Sequence, residues 1–308
     1  MMRTGNTPCG IALPPDMIEQ TGVMDHLREY VARVEALGVY DSVWVTESIL
    51  GKVLVLEPIS FLSYVTALTT RVRLGVSVML LTLRNPIQLA KAVATLDFMS
   101  DGRFNFGIGM GHGQEATFGY ARERRAARFE ESLAVMKKLW AEEDVDFAGD
   151  FWQFKGINVV PKPVQEPHPP LWFGARQPAA LRRAVKLGDA FMGAGSSSSA
   201  DFASQVQQLR QFMEEEGRDP DTLLISKRVY LAVDEDKERA EARLRSWFGY
   251  HYGQAEMGSR VSIWGSQAEC LDKLGELVQA GAQHLLLNPV FDEREHLELL
   301  AAEVVPHL

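Results

Sequence analysis

An apolar run that ends in Thr46, Glu47 and Ser48 carries the one carboxylate placed to ionise at the end of a predicted strand. Burial raises a carboxyl pKa toward neutrality, where the group can handle protons or orient a ligand; paired to an arginine, the same group would be a structural brace. The string NFGIGMGHG puts glycine at 107, 109, 111 and 113, so that backbone can approach a flat ring or a phosphate closely, with His112 on the same loop. It lacks the surrounding strand–helix–strand context and the downstream acidic residue of a dinucleotide fingerprint. The run GAGSSSSADF offers Gly195, Ser196 and Ser197 ahead of a helix predicted from near Asp201. Serine hydroxyls and free N–H groups at a helix start are natural phosphate ligands, and a plain capped turn with Ser199 or Asp201 as N-cap is the other reading. No lysine ends a predicted strand to form a Schiff base, and no pair of histidines is spaced to share a metal. A mouth of glycine, alanine, serine and apolar side chains suits a bulky, flat ligand that brings its own reactivity, which is the description of a cofactor.

Eight short apolar runs must position these residues: Cys9–Leu13, Ser42–Val45, Leu74–Leu80, Phe104–Ile108, Leu171–Phe173, Ala190–Met192, Ile225–Val233 and His284–Leu287. Helical patterns separate them, and four of these stop at Gly38, Asp101-Gly102, Gly188 and Gly281, where a left-handed backbone is expected. The alternation predicts an α/β fold, a (β/α)8 barrel occupying residues 1–308 as one domain, with the site built from the loops after the strands. Residues 143–170 interrupt the alternation with two aromatic stretches and five prolines, predicting a hairpin and an extended arm that start on the face away from the site, with Trp152 and Phe154 as packing residues. Residues 249–265 are expected to form a loop over the site, carrying Tyr250 and His251.

A net charge of −9 argues against nucleic acid as a partner, while leaving room for a locally bound anionic cofactor. Two distant cysteines, Cys9 and Cys270, suit a reducing compartment. The start of the chain has no apolar signal-like region and no stretch of about 18 apolar residues follows, so a cytoplasmic protein without membrane partners is expected.

RVRLGVSVMLLTLRNPIQLAKAVATLDFMSDGRFNFGIGMG, with PKPVQEPHPPLWFGARQPAALRRAVKLGDAFMGAGSSS further on, resembles the third to sixth strand regions of the bacterial luciferase-like superfamily of flavin- and deazaflavin-dependent oxidoreductases. The likeness extends over most of residues 8–195. It implies a barrel with an FMN or coenzyme F420 ring in its mouth, F420 slightly favoured, lying against a bulge whose non-prolyl cis peptide would join Ser77 and Val78. Thr46 would face the ring. The phosphate-binding elements would be Gly109, Met110 and Gly111 with the following loop, and Gly174, Ala175 and Arg176, the arginine pairing with the cofactor tail. Where many relatives place an imidazole after strand two this chain has Ser48, so the proton-handling residue is expected to be Glu47 or His112. The implied activity is hydride transfer to, or monooxygenation of, a small organic substrate; a non-catalytic flavin- or deazaflavin-binding barrel is the alternative. Homodimers are implied, with Ile59, Leu62, Leu68, Leu89, Val93 and Leu96 as contact candidates.

Overall fold

A computed structural model describes residues 7–14, 22–111 and 114–308. The barrel strands are β1 (Cys9–Ala12), β2 (Ser42–Val45), β3 (Arg73–Val76), β4 (Met79–Leu80) and β5 (Phe104–Gly109). An antiparallel pair, β6 (Val145–Ala148) and β7 (Gln153–Ile157), intervenes before β8 (Leu171–Ala175), β9 (Ala190–Gly193), β10 (Leu224–Val233), β11 (Ile263–Gly265) and β12 (His284–Pro289). Parallel pairing closes a ring in the order β1, β2, β3, β5, β8, β9, β10, β12 and back to β1. All eight runs expected from the sequence are strands of that ring. The third is broken: β4 continues β3 beyond a cis peptide between Ser77 and Val78 and pairs with β5, while β11 adds to the far end of β10.

The helices α1 (Val23–Leu37), α2 (Pro58–Thr66), α3 (Pro86–Met99), α4 (Arg125–Ala141), α5 (Pro178–Leu187) and α6 (Ser199–Glu215) lie between strands, followed by α7 (Lys237–Tyr252), α8 (Ala255–Val261), α9 (Gln267–Ala280) and α10 (Glu293–Glu303). Alternate strand residues such as Ile11, Val43, Leu74, Phe106, Phe173 and Leu287 are buried in one core between strands and helices, as a barrel wrapped on its outside requires. Leu62, Leu89, Val93 and Leu96 belong to that core, so they pack onto the barrel and not onto a second copy. Gly38, Gly102 and Gly281 are left-handed as expected, but Gly188 is extended; a Cβ there would sit 2.6 Å from the Phe173 ring, so close approach is what requires glycine.

The 143–170 insertion is a hairpin plus arm, as its composition suggested. Glu131 of α4 accepts from the N–H groups of Asp150, Phe151 and Trp152, and Trp152 bonds Ser132, which makes it the packing residue expected. The arm then crosses the end of the barrel opposite the strand C-termini, where Gln165 accepts from Arg73 and donates to the Phe104 carbonyl and Asp97. Residues 249–265 depart from expectation. Helix α7 runs through Tyr252 because Ala240, Leu244 and Phe248, four apart, bury one stripe. Tyr250 and His251 therefore sit in its last turn, His251 stacked on Trp247 at 3.8 Å, and α8 and β11 take up most of the remainder.

Candidate active site

Inside the ring a second, smaller cluster fills the bore: Ala12, Trp44, Trp172, Ala190, Met192 and Leu286, with the two indoles edge to face at 4.8 Å. The bulk of Trp44 explains Gly10 and Gly75, where any Cβ would overlap its ring. Beneath lies a polar layer in which His284 bonds Ser226 (2.7 Å) and approaches Ser42 and Asp41 (both 3.4 Å). Among the described residues these side chains fill the bore, so the mouth at the strand C-termini is the end of the barrel to read for a ligand.

Val78 forms the wall of that mouth. The break after Ser77 turns its isopropyl group over β5 and β8, and three glycines make the space: a Cβ on Gly109 would meet Val78 at 2.6 Å, one on Gly174 at 3.0 Å and one on Gly107 at 3.5 Å. Gly107 is tighter still against the Val76 carbonyl. A Cβ on Gly111, which is left-handed, would meet Leu80, and the Met110 carbonyl accepts from Thr82 (2.7 Å). His112 lies outside the described residues. Thr46, with Leu13, Val45, Leu54, Leu56 and Phe61, lines a small, mostly apolar pocket beside the mouth.

The side chain of Glu47 is 1% exposed and faces the segment after Val78. Its carboxylate accepts from the Leu80 N–H and from the Arg84 guanidinium (Nε at 3.0 Å), which also reaches Glu57 at 3.0 Å. Burial pushes its pKa above the ordinary carboxylate value against the opposing pull of Arg84 and the Leu80 N–H. The brace weighed from the sequence is present, and the partner is Arg84.

The other end of the mouth is cationic. Arg176, just past β8, donates to Ser196 (3.1 Å) in the loop after β9, and Tyr230 covers Gly195, leaving 2.6 Å for a Cβ. Ser197 is buried under that loop with its N–H on the Ala194 carbonyl (3.0 Å) and its hydroxyl accepting from Gln205 at 3.5 Å. The helix that follows begins with a capping box of Ser198 and Asp201, so the cap is Ser198. Lys227 is not at a strand end in the sequence pattern. It is the fourth residue of β10, yet pairs with Gly193 at the very end of β9, is 2% exposed, and donates from Nζ to the carbonyls of Ala194 (2.5 Å) and Ser197 (2.9 Å). Burial, with the nearby charges of Arg228 and Arg176, lowers its pKa to about 7 despite Asp201. Its neighbour Arg228, also unforeseen, turns to the inside of the barrel.

This arrangement has relatives. The family model described as luciferase-like monooxygenase matches residues 9–284. An F420-dependent glucose-6-phosphate dehydrogenase of Kineococcus radiotolerans is 30% identical over 324 residues, spanning 92% of each chain. Among solved structures, an F420-dependent secondary alcohol dehydrogenase in complex with an F420-acetone adduct superposes with a TM-score of 0.84 at 22% identity over 98% of this chain and 99% of that one. The oxygenating constituent of 3,6-diketocamphane monooxygenase from Pseudomonas putida, in complex with FMN, gives 0.76 at 16% identity, over 98% and 99%. A resemblance first carried by two stretches of sequence now extends around the whole barrel, and the chain belongs to the luciferase-like monooxygenase family.

Proposed function

We propose that this protein is an oxidoreductase that uses a reduced deazaflavin, coenzyme F420, to transfer hydride to a small organic substrate, with FMN as the second cofactor its mouth would suit. The observation that carries this reading is the slot in which Val78 lies over Gly107, Gly109 and Gly174, flanked by the cationic Arg176 loop. The Cβ atoms left out at these glycines let Val78 settle onto β5 and β8 and present its isopropyl face as a wall against which a planar ring can lie, and a guanidinium with no carboxylate partner among the described residues suits a phosphate-bearing tail. Val78, Ser77, Gly109 and Gly174 would hold the ring, and Gly195, Arg176 and Ser196 the tail. Such a cofactor, when bound, supplies the hydride; the chain supplies orientation and a water-poor wall. The F420-dependent relative matched over 92% of its length favours F420 over FMN.

Glu47 acts here as a ring-orienting residue, since both its oxygens are engaged by Arg84 and Leu80 and hold the backbone that carries Val78. That leaves His112 as the residue to handle protons. The apolar pocket beside Thr46 takes the substrate's hydrocarbon part. The chain works as one barrel domain, in the cytoplasm, consistent with free, buried Cys9 and Cys270 and with no described helix long and apolar enough to cross a membrane. As a homodimer it would use exposed apolar side chains such as Phe98 and Met99 at the end of α3. Anaerobic titration with F420 and with FMN tests the assignment: F420 is expected to saturate at micromolar or lower concentration, and failure of both to saturate refutes it.

A further inference from the structure

Arg228 and Ser77 stand on opposite sides of the barrel, β10 being the fourth strand round the ring from β3 in either direction. The arginine crosses the bore above the tryptophan plug, and its Nη1 reaches the Ser77 carbonyl at 3.4 Å. Nε donates to the Asn288 side-chain oxygen at 3.0 Å and Nη2 to the same atom, while Asn288 is itself fixed through its amide to the Pro289 carbonyl (3.1 Å). The Tyr230 ring lies 4.9 Å from the guanidinium carbon. The group is thus held from three sides at the floor of the mouth.

Among the described residues it has no counter-charge: none of its partners there is a carboxylate, in contrast to Arg84 at the rim, which has Glu47 and Glu57. A guanidinium carries five N–H donors, and the acceptors around Arg228 take three. Holding a partly desolvated cation with spare donors and no anion is unfavourable unless something else brings the charge. Its planar fork matches two oxygens, or an oxygen and a nitrogen, carrying a delocalised negative charge.

We propose that Arg228 is a ligand-binding residue that receives a delocalised anionic oxygen at the floor of the mouth, with Asn288 as its positioning residue. Resting on the cofactor reading above, two molecules could supply that oxygen: the pyrimidinedione edge of the ring, or a carboxylate on the substrate.

Wild type, R228Q and R228K are titrated anaerobically with F420 by fluorescence quenching, and each F420 complex is then titrated with acetate by calorimetry. If the ring supplies the oxygen, R228Q weakens F420 at least tenfold and R228K about threefold. If the substrate does, F420 binds all three alike, and acetate binds the wild-type complex but not that of R228Q. Should R228Q not fold, R228K decides, a threefold change in either titration supporting the proposal and no change overturning it. Equal binding of both probes by wild type and R228Q overturns it while leaving the cofactor assignment intact; a wild type that binds neither F420 nor FMN instead fails the assignment itself, and this proposal with it.

Discussion

Glu47 and Arg84 form a buried brace between the end of β2 and the segment that follows Val78, with the Leu80 N–H as its third member. Removing the charge but not the acceptor separates the brace from any proton transfer. E47Q keeps a partner for Leu80 and leaves Arg84 with Glu57, so a loss of about 1–3 kcal/mol is expected in urea unfolding, below the cost of stranding a fully buried charge. F420 affinity should fall with it, because the wall of the slot moves. The raised pKa adds a pH signature. Between the ordinary value of 4.5 and the folded value the native chain holds more protons at this site than the unfolded one, so this contribution to stability falls as pH rises through that window. The variant should lack the step, and an E47Q curve that tracks wild type at every pH would contradict the brace.

Val78 and Gly109 should be strongly coupled. In G109A the new methyl meets Val78 at 2.6 Å, an overpacking expected to cost about 1–3 kcal/mol and to displace the wall of the slot. V78A frees that volume, so the double variant should recover much of the loss, giving a coupling of about 1 kcal/mol or more in a double-mutant cycle. G107A makes the contrast: its methyl would fall 1.7 Å from the Val76 carbonyl, which is backbone and cannot retreat, so V78A should not rescue it. Additive effects of G109A and V78A would remove Val78 from the role given to it.

The strands were legible because parallel strands covered on both faces read as unbroken apolar runs between glycines. Leu74–Leu80 read as one apolar run although β3 and β4 are two; the cis bond between Ser77 and Val78 that parts them was expected from the family resemblance alone, since it leaves no mark in composition. Gly249 misled in the other direction. Its glycine and the polar aromatics after it look like a turn, but Leu244 and Phe248 anchor α7 firmly enough to carry the helix past it. Lys227 and Arg228 were hidden by register. Chemistry in a barrel is expected at strand ends, and the end of β10 is Val233; β10 is ten residues long and starts level with Ala190, so its fourth residue already lies beside the end of β9. The partner of Glu47 was undecided among arginines because nothing local links positions 47 and 84.

Lys227 should make both stability and cofactor affinity depend on pH, with opposite signs. With its pKa lowered from 10.5 to about 7, the native chain carries fewer protons there than the unfolded chain between those values. Stability therefore rises with pH across that window, by up to about 1.4 kcal/mol per pH unit from this group. In K227M the slope should be missing in urea unfolding from pH 7 to 9.5. An anion on the loop above favours the charged lysine, so wild-type F420 affinity should decline from pH 6 to 8.5. Parallel wild-type and K227M profiles in both measurements would show that Lys227 does not titrate there.

Arg176 should discriminate between cofactors with and without a phosphate. Its guanidinium is tied to Ser196 and has no carboxylate partner among the described residues, so its gain on binding comes from a ligand anion. R176A is expected to weaken FMN and F420 about tenfold, near 1.4 kcal/mol, while riboflavin, which has the ring but no phosphate, should bind wild type and variant alike. The site is exposed, so the wild-type preference for FMN over riboflavin should shrink between 50 and 300 mM salt as the pair is screened, and R176A should show a flatter salt response. Equal weakening of all three ligands would mean that Arg176 shapes the loop without meeting the tail. In that case the phosphate would have to be held by the backbone N–H groups after β9 and by the field of Lys227 beneath them.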